Sequence, residues 1–158
     1  IAMKKKGFTL IELLIVIAII AILAAVVFVA LNPLARFKAA RDSTRWSDVE
    51  NILSAIKLHQ VDNGGVYLDA INALDNDKYY TIGTCTSGGD SGCTAQTTES
   101  ACVDLTGLVT AGYLPSVPKD PVSGTDSKTD YYLKKSATGI ITVGACDPEG
   151  GSPIEVSR

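Results

Sequence analysis

Few side chains in this sequence are spaced as catalytic groups. Ser91, in Gly89-Asp90-Ser91-Gly92, could act as a nucleophile only beside a histidine base that is oriented by an acid. The sole histidine, His59, falls in a segment of helical periodicity and is expected to be an ordinary helix residue. No phosphate-binding loop, dinucleotide fingerprint or metalloprotease motif is present. We therefore predict that the protein is not an enzyme.

Four cysteines could form covalent cross-links. Cys85, Cys93, Cys102 and Cys146 include no Cys-x-x-Cys pair, and one histidine is too few for the usual zinc sites. Their Gly-rich surroundings favour two disulfides in an oxidising compartment over free structural thiols. Three pairings are possible, one of which joins Cys85 to Cys93 across a tight hairpin and Cys102 to Cys146 across the C-terminal half.

Glu12 is an isolated carboxylate beside residues 13–31, which are 19 consecutive apolar residues. A carboxylate in the centre of a membrane costs about 2.5–3.5 kcal/mol, less near an interface. Glu12 is either a tolerated interfacial acid or the partner of a buried cation. The apolar helix offers no cation of its own, so that partner is expected on another chain.

The element that carries Glu12 is long enough to cross a bilayer. Phe8–Leu31 would form a helix of about 36 Å, against a hydrocarbon core of about 30 Å. It exceeds the apolar part of a cleavable secretory signal and is expected to be retained. Residues 1–45 have a net charge of +5 and residues 46–158 of −8. These features exclude a purely soluble protein and a polytopic channel.

A second helical segment follows the apolar one. Pro33 is expected to kink or interrupt the helix, because proline lacks an amide hydrogen. From Ala35 to about Val61, one face is predicted to be buried, and Asp62-Asn63-Gly64 should end the helix. The predicted buried residues are Val49, Ile52, Leu53 and Ile56, extended by Trp46.

The remainder has the patterns of a small sheet. Residues that favour strands occupy Tyr79–Ile82. A β-hairpin is predicted from residues 131–135 and 140–143. Residues 83–100 are predicted to be a loop, 105–114 to contain a short helix, and the tail from Asp147 to carry little regular structure. We expect an α+β fold, in which a long kinked N-terminal helix packs against a small antiparallel sheet.

Lys38, Arg41 and Arg45 share a face of the second helical segment. Contact with anionic lipid headgroups or with acids of a neighbouring subunit is the preferred interpretation, ahead of a solvated face. Nucleic acid is disfavoured, because phosphate binding needs an exposed cationic cluster and the remaining chain is acidic.

Residues 4–12, which read KKKGFTLIE, resemble the class III leader of type IV pilins and type II secretion pseudopilins. The resemblance is firm over residues 4–31 and implies cleavage between Gly7 and Phe8 by a prepilin peptidase, followed by N-methylation of Phe8. It also implies that Glu12 neutralises the amine of Phe8 in a neighbouring subunit during assembly. Met3 is the expected initiator.

The same family suggests a possible metal. The Lys-Asp-Pro segment from Lys119 resembles the calcium-binding loop of the major pseudopilin, with Asp120, Asp126 and Asp130 as ligands. A solvated acidic loop is the preferred alternative, and no other cofactor is expected.

The resemblance predicts four regions: a leader (1–7), a transmembrane and assembly half of the helix (8–31), an amphipathic half (32–61) and a globular head (62–158). The implied function is a structural subunit of an extracellular type IV pilus. The alternatives are a major-type pseudopilin of a type II secretion system and a monomeric membrane-anchored binding domain. Expected partners are other copies of the chain, the prepilin peptidase, a pilus assembly platform and, before assembly, the cytoplasmic membrane, with the head outside.

Overall fold

A computed structural model describes residues 7–86 and 92–158. Met3, the leader lysines and Gly89-Asp90-Ser91 lie outside the described residues. The chain divides into two compact units, one extending to Phe37 and the other comprising Lys38–Arg158.

The first helix, α1, comprises Leu10–Leu31 and contains no buried residue. Thr9 is its N-cap, in extended backbone conformation. By length and composition, one helical segment of the described chain, Leu10–Asp62, is able to cross a membrane. The apolar part of this segment is α1, which has no charged residue after Glu12.

The expected interruption of the helix is confirmed. Asn32 follows α1 in the left-handed conformation, with φ of 38°, and Pro33 begins the second helix, α2, which comprises Pro33–Asp62. Asparagine tolerates this conformation, and the first position of a helix suits proline because the missing amide hydrogen would have no partner there.

One face of α2 is buried as the periodicity predicts. Val49, Ile52, Leu53 and Ile56 are all buried. The inclusion of Trp46 in that face is wrong, because its side chain is 42% exposed. Its neighbour Arg45 is buried instead.

The rest of the chain forms two short helices and five strands. Helix α3 is Asp69–Asn72 and α4 is Thr106–Thr110. The strands are β1 (Tyr79–Ile82), β2 (Thr98–Val103), β3 (Tyr131–Lys135), β4 (Ile141–Ala145) and β5 (Glu155–Ser157), in the spatial order β2-β1-β3-β4-β5. The α+β architecture with the predicted β3–β4 hairpin is thus observed.

The sheet is mixed and not antiparallel throughout. Strand β2 runs parallel to β1, whereas the other three pairs are antiparallel. Two segments expected to be irregular also contribute strands: β2 begins within the predicted loop, and β5 lies in the tail. Both are edge strands, and β2 is buried only at its two ends, Thr98 and Val103, while β5 is largely exposed. The alternation that marks a half-buried strand is therefore weak in them.

The core lies between the buried face of α2 and one face of the sheet. Ile52 and Ile56 belong to the same buried cluster as Leu133 and Val143 of the central strands. Leu105 and Leu108 extend that cluster to α4.

Candidate functional site

The N-terminal end of α1 is organised by Thr9 and Glu12. The Thr9 amide and hydroxyl both donate hydrogen bonds to Glu12 Oε2, each at 2.8 Å, and the Glu12 amide donates to Thr9 Oγ1 at 3.3 Å. This is a capping box, in which two side chains satisfy backbone donors that a helix start leaves free. Glu12 therefore has donors within its own chain, which the sequence analysis did not anticipate.

The capping box holds a carboxylate close to the residue that would become the new N-terminus. Phe8 directly precedes Thr9 and its side chain is 87% exposed. Both recorded bonds to the Glu12 side chain use Oε2, so among the described residues Oε1 has no hydrogen-bond partner. A cation could therefore bind Glu12 without dismantling the cap.

The surface of α1 is apolar on every side. All of its large side chains are exposed in the isolated chain, including Phe28 and Val29. A helix that is apolar around its whole circumference must be covered by lipid or protein, which shields its surface from water. The helix thus has the chemistry of an element that exchanges membrane for protein contacts.

In the second unit, Arg45 is the centre of an ionic cluster and is 1% exposed. Its Nε donates to Asp120 Oδ2 at 2.5 Å and its Nη2 to Asp120 Oδ1 at 3.1 Å. Its Nη1 donates to Asp42 at 2.8 Å and to Glu149 at 3.0 Å. One guanidinium therefore joins α2 to two loops that are far from it in sequence.

Arg41 and Asp42 complete this cluster. Arg41 donates from Nε and Nη2 to the two oxygens of Glu149, at 2.5 and 2.6 Å. Asp42 accepts from the amides of Glu149 and Gly150, at 3.0 and 2.6 Å. The hydrogen bonds from Arg41, followed by those from Arg45, lower the pKa of Glu149 to about 2.

The cluster corrects the interpretation of the basic face. Arg41 and Arg45 were expected to meet lipid or a neighbouring subunit, but both are neutralised by acids of the same head. Within the described part of the chain, Lys38 has no ion-pair partner and remains available.

Comparison with known proteins agrees with the geometry of the N-terminal segment. Residues 2–28 match the family model of the prokaryotic N-terminal methylation motif. Over 152 residues, which are 94% of this chain and 86% of the relative, the sequence is 29% identical to the type II secretion system core protein G of Vibrio cholerae serotype O1. Over 60 residues, 38% of this chain and 44% of the relative, it is 52% identical to the type IV wide pilus major component PilA4 of Thermus thermophilus. The chain therefore carries the N-terminal methylation motif and is similar to a type II secretion core protein and to a type IV pilus component. No solved structure matches it at a significant level.

The three acids of the calcium prediction are engaged differently in the structure. Asp120 is committed to Arg45 and also accepts from the amides of Val122 and Ser123, at 2.8 and 3.3 Å. Burial raises its pKa, but the Arg45 and amide hydrogen bonds outweigh burial and leave the pKa below its usual range. Asp126 pairs with Lys119 at 3.0 Å on the surface.

Asp130 does not complete a metal site. Burial, together with the negative charges of Asp147 and Asp120, raises the pKa of Asp130 and disfavours its charged form. In the described parts of the chain, no group of three or more His, Cys, Asp or Glu side chains is placed to hold a metal ion.

All four cysteines are disulfide-bonded, but not in the hairpin pairing. The bonds join Cys85 to Cys102 and Cys93 to Cys146. The first ties the end of β1 to β2, and the second ties the segment before β2 to the end of β4. The disulfides therefore fix the parallel edge strand of the head.

His59 is placed as a structural residue. Its ring contacts the Tyr113 ring edge-on, with centroids 5.4 Å apart, and its Nδ1 has no hydrogen-bond partner among the described residues. The Tyr113 hydroxyl donates to Asp62 at 2.9 Å.

Proposed function

We propose that the chain is a structural subunit of an extracellular type IV pilus filament, assembled through α1. The observation that carries the proposal is a 22-residue apolar helix with no buried residue, beginning at a capping box beside Phe8. Such a helix is covered by lipid before assembly and by the α1 helices of other copies afterwards. Repetition of one asymmetric contact without closure produces a filament.

The processing site is proposed between Gly7 and Phe8. Hydrolysis of this peptide bond by a prepilin peptidase leaves a free amine on Phe8, which the enzyme then methylates. The Glu12 carboxylate would bind this amine in a neighbouring copy through Oε1, while Oε2 keeps the cap. A charged pair buried among apolar helices is neutral as a whole, and this compensates for the cost of burying either charge alone.

The proposed location follows from the same elements. The chain waits in the cytoplasmic membrane as a single-pass protein with its head outside, and later becomes part of the extracellular filament. Two disulfides support an oxidising environment for the head. The proposed partners are other copies of the chain, the prepilin peptidase and a pilus assembly platform.

A type II secretion pseudopilin is the second candidate. It is favoured by the match to core protein G, which extends over 94% of this chain. Both candidates assemble through α1 in the same way. They differ in the process in which the filament takes part. Deletion of the gene in its native host separates them: loss of sheared surface filaments supports the pilus, and loss of protein secretion with normal surface filaments supports the pseudopilus.

The role of Glu12 is tested by Glu12→Ala, with Glu50→Ala as the matched control on the exposed surface of α2. We expect Glu12→Ala to lower filament yield at least about tenfold, which corresponds to only about 1.4 kcal/mol per contact. Insertion into the membrane should be unchanged, because the substitution makes α1 more apolar. Mass spectrometry of assembled protein should find N-methyl-Phe8. An intact leader on assembled protein would contradict the proposed processing, and normal filaments from Glu12→Ala would contradict the proposed role of Glu12. Failure of the unsubstituted chain to form filaments would favour a monomeric anchored domain.

A further inference from the structure

A groove of about 530 Å³ lies beside α2 on the second unit. One wall is the stretch of α2 from Asp48 to Leu58, and the other is the 113–118 segment with Pro115 and Pro118. The groove is apart from the ionic cluster that Arg45 organises, since none of the lining residues belongs to that cluster. It has no role in the functions proposed above.

The chemistry of the groove selects for a side chain that is both cationic and apolar. At one end, Asp48 accepts a single recorded hydrogen bond, from the Tyr131 hydroxyl at 2.7 Å. Ala55, Leu58 and the two prolines give the walls apolar surface, and Leu58 is 56% exposed. Of the described residues that line the groove, none is Lys or Arg. A long cationic side chain can lay its methylene groups on such walls and bring its charge to the acid.

Every copy of the chain carries a segment with the matching chemistry. Arg36-Phe37-Lys38 places two cations around an aromatic residue that is 64% exposed. Neither Arg36 nor Lys38 has an ion-pair partner within the described residues, whereas Arg41 and Arg45 are neutralised inside the head. This segment therefore keeps an unpaired positive charge and an uncovered apolar surface.

We propose that Arg36-Phe37-Lys38 of one copy docks in the Asp48–Leu58 groove of the next copy in the filament. The Lys38 ammonium pairs with Asp48, and Phe37 packs on Leu58 and the prolines. The segment and the groove are different surfaces, so the contact is head-to-tail and repeats along a filament without closing. The inference rests on the proposed function, because it requires an assembly of identical chains.

The state of Asp48 in the single chain is consistent with a missing partner. Burial raises the pKa of Asp48, even though the Tyr131 hydroxyl bond acts in the opposite direction. A carboxylate in this position is stabilised by an arriving cation. Because the charge is unfavourable in the free head, Asp48→Asn, which can still accept from Tyr131, is not expected to weaken the fold.

The contact is tested by cysteine cross-linking in sheared filaments. Ala39→Cys and Ser54→Cys are small, exposed changes, the first next to the docking segment and the second in the groove wall. The double variant should give disulfide-linked dimers and higher ladders on a non-reducing gel. The matched control, Ala39→Cys with the exposed Ser152→Cys, should remain monomeric. Two results would overturn the inference. One is a normal filament yield with no dimers from the Ala39→Cys/Ser54→Cys variant, and the other is an equal amount of dimer from that variant and from the control.

A second measurement separates this inference from the proposed function. Asp48→Asn should lower filament yield at least fivefold at unchanged protein level, whereas the exposed control Asp77→Asn should leave yield unaltered. Equal yields from the two variants would overturn the contact while leaving the filament function intact. Failure of the unsubstituted chain itself to form filaments would instead contradict the proposed function. If Asp48→Asn lowers the filament yield but the cysteine variant gives no dimers, the groove has another occupant. That result would overturn the proposed docking of Arg36-Phe37-Lys38.

Discussion

Replacing Arg45 by Ala should destabilise the head more than any other single change in the ionic cluster. Arg45 makes the bidentate contact to Asp120, at 2.5 and 3.1 Å, and the Asp120 side chain is 0% exposed. Removing one member of a buried pair costs about 3–5 kcal/mol, because the other charge is left buried without compensation. Asp120 keeps its hydrogen bonds from the Val122 and Ser123 amides, so we expect a loss near the lower limit, about 3 kcal/mol. That is a large fraction of the roughly 5–15 kcal/mol that stabilises a domain.

The assay is urea unfolding of the full chain in detergent, followed by the fluorescence of Trp46, which is adjacent to Arg45 in α2. Arg45→Lys keeps the charge but loses the bidentate geometry and should cost less than Arg45→Ala. Arg45→Met combined with Asp120→Leu removes both charges and should recover much of the stability, as apolar replacements of buried ion pairs often do. A loss below about 1 kcal/mol for Arg45→Ala would refute the reasoning, since it is the value of an exposed ion pair. A double variant that is no more stable than Arg45→Ala would also refute it.

Two further predictions concern the loops that the cluster and the disulfides hold. The pKa of Glu149 is lowered to about 2, so its contribution to stability is complete above the ordinary Glu pKa of about 4.3 and is lost as the pH falls through about 2. The Tm of Glu149→Gln should therefore depend less on pH than that of the unsubstituted chain between about pH 4.5 and 2, and equal slopes would contradict the assignment. For the disulfides, replacing Cys93 and Cys146 by Ser should cost about 4 kcal/mol and replacing Cys85 and Cys102 about 3, because the closed loops contain 53 and 17 residues. Urea unfolding without reductant checks this order, and a larger loss for the shorter loop would show that loop entropy is not the main effect.

Local patterns in the sequence were sufficient for the elements that local physics determines. The spacing of Val49, Ile52 and Ile56 identifies the buried face of α2, and Asn32-Pro33 marks the interruption, because both depend on residues within a few turns. Arg45 could not be identified as buried in this way. Two of its three acidic partners are 75 and 104 residues away, and an Arg on a polar stripe normally lies at the surface.

The disulfide pairing was missed for a related reason. Joining Cys85 to Cys93 closes the shortest loop, which favours it when only the chain is considered. In the fold, β2 lies parallel to β1 with Cys102 opposite Thr81, so Cys102 comes close to the cysteine that follows β1. Strand register, which depends on the whole sheet, decides the pairing.

The capping box, by contrast, could have been found in the sequence. Thr9 and Glu12 have the Thr-x-x-Glu spacing directly before an apolar helix, which is the signature of this cap. The position of Glu12 three residues after a threonine thus gives it a local role in addition to its charge.

The ionic cluster also determines the order in which this head can form. Arg41 and Glu149 are separated by 108 positions, and Arg45 and Asp120 by 75. A chain synthesised from its N-terminus therefore presents Arg41 without Glu149 until residue 149 has emerged, and Arg45 with only Asp42 among its acids until residue 120 has emerged. During that interval residues 36–45 of α2, which contain four cations and one acid, lie directly behind an apolar helix. The complete set of ion pairs around α2 can therefore form only after nearly the whole sequence has been synthesised.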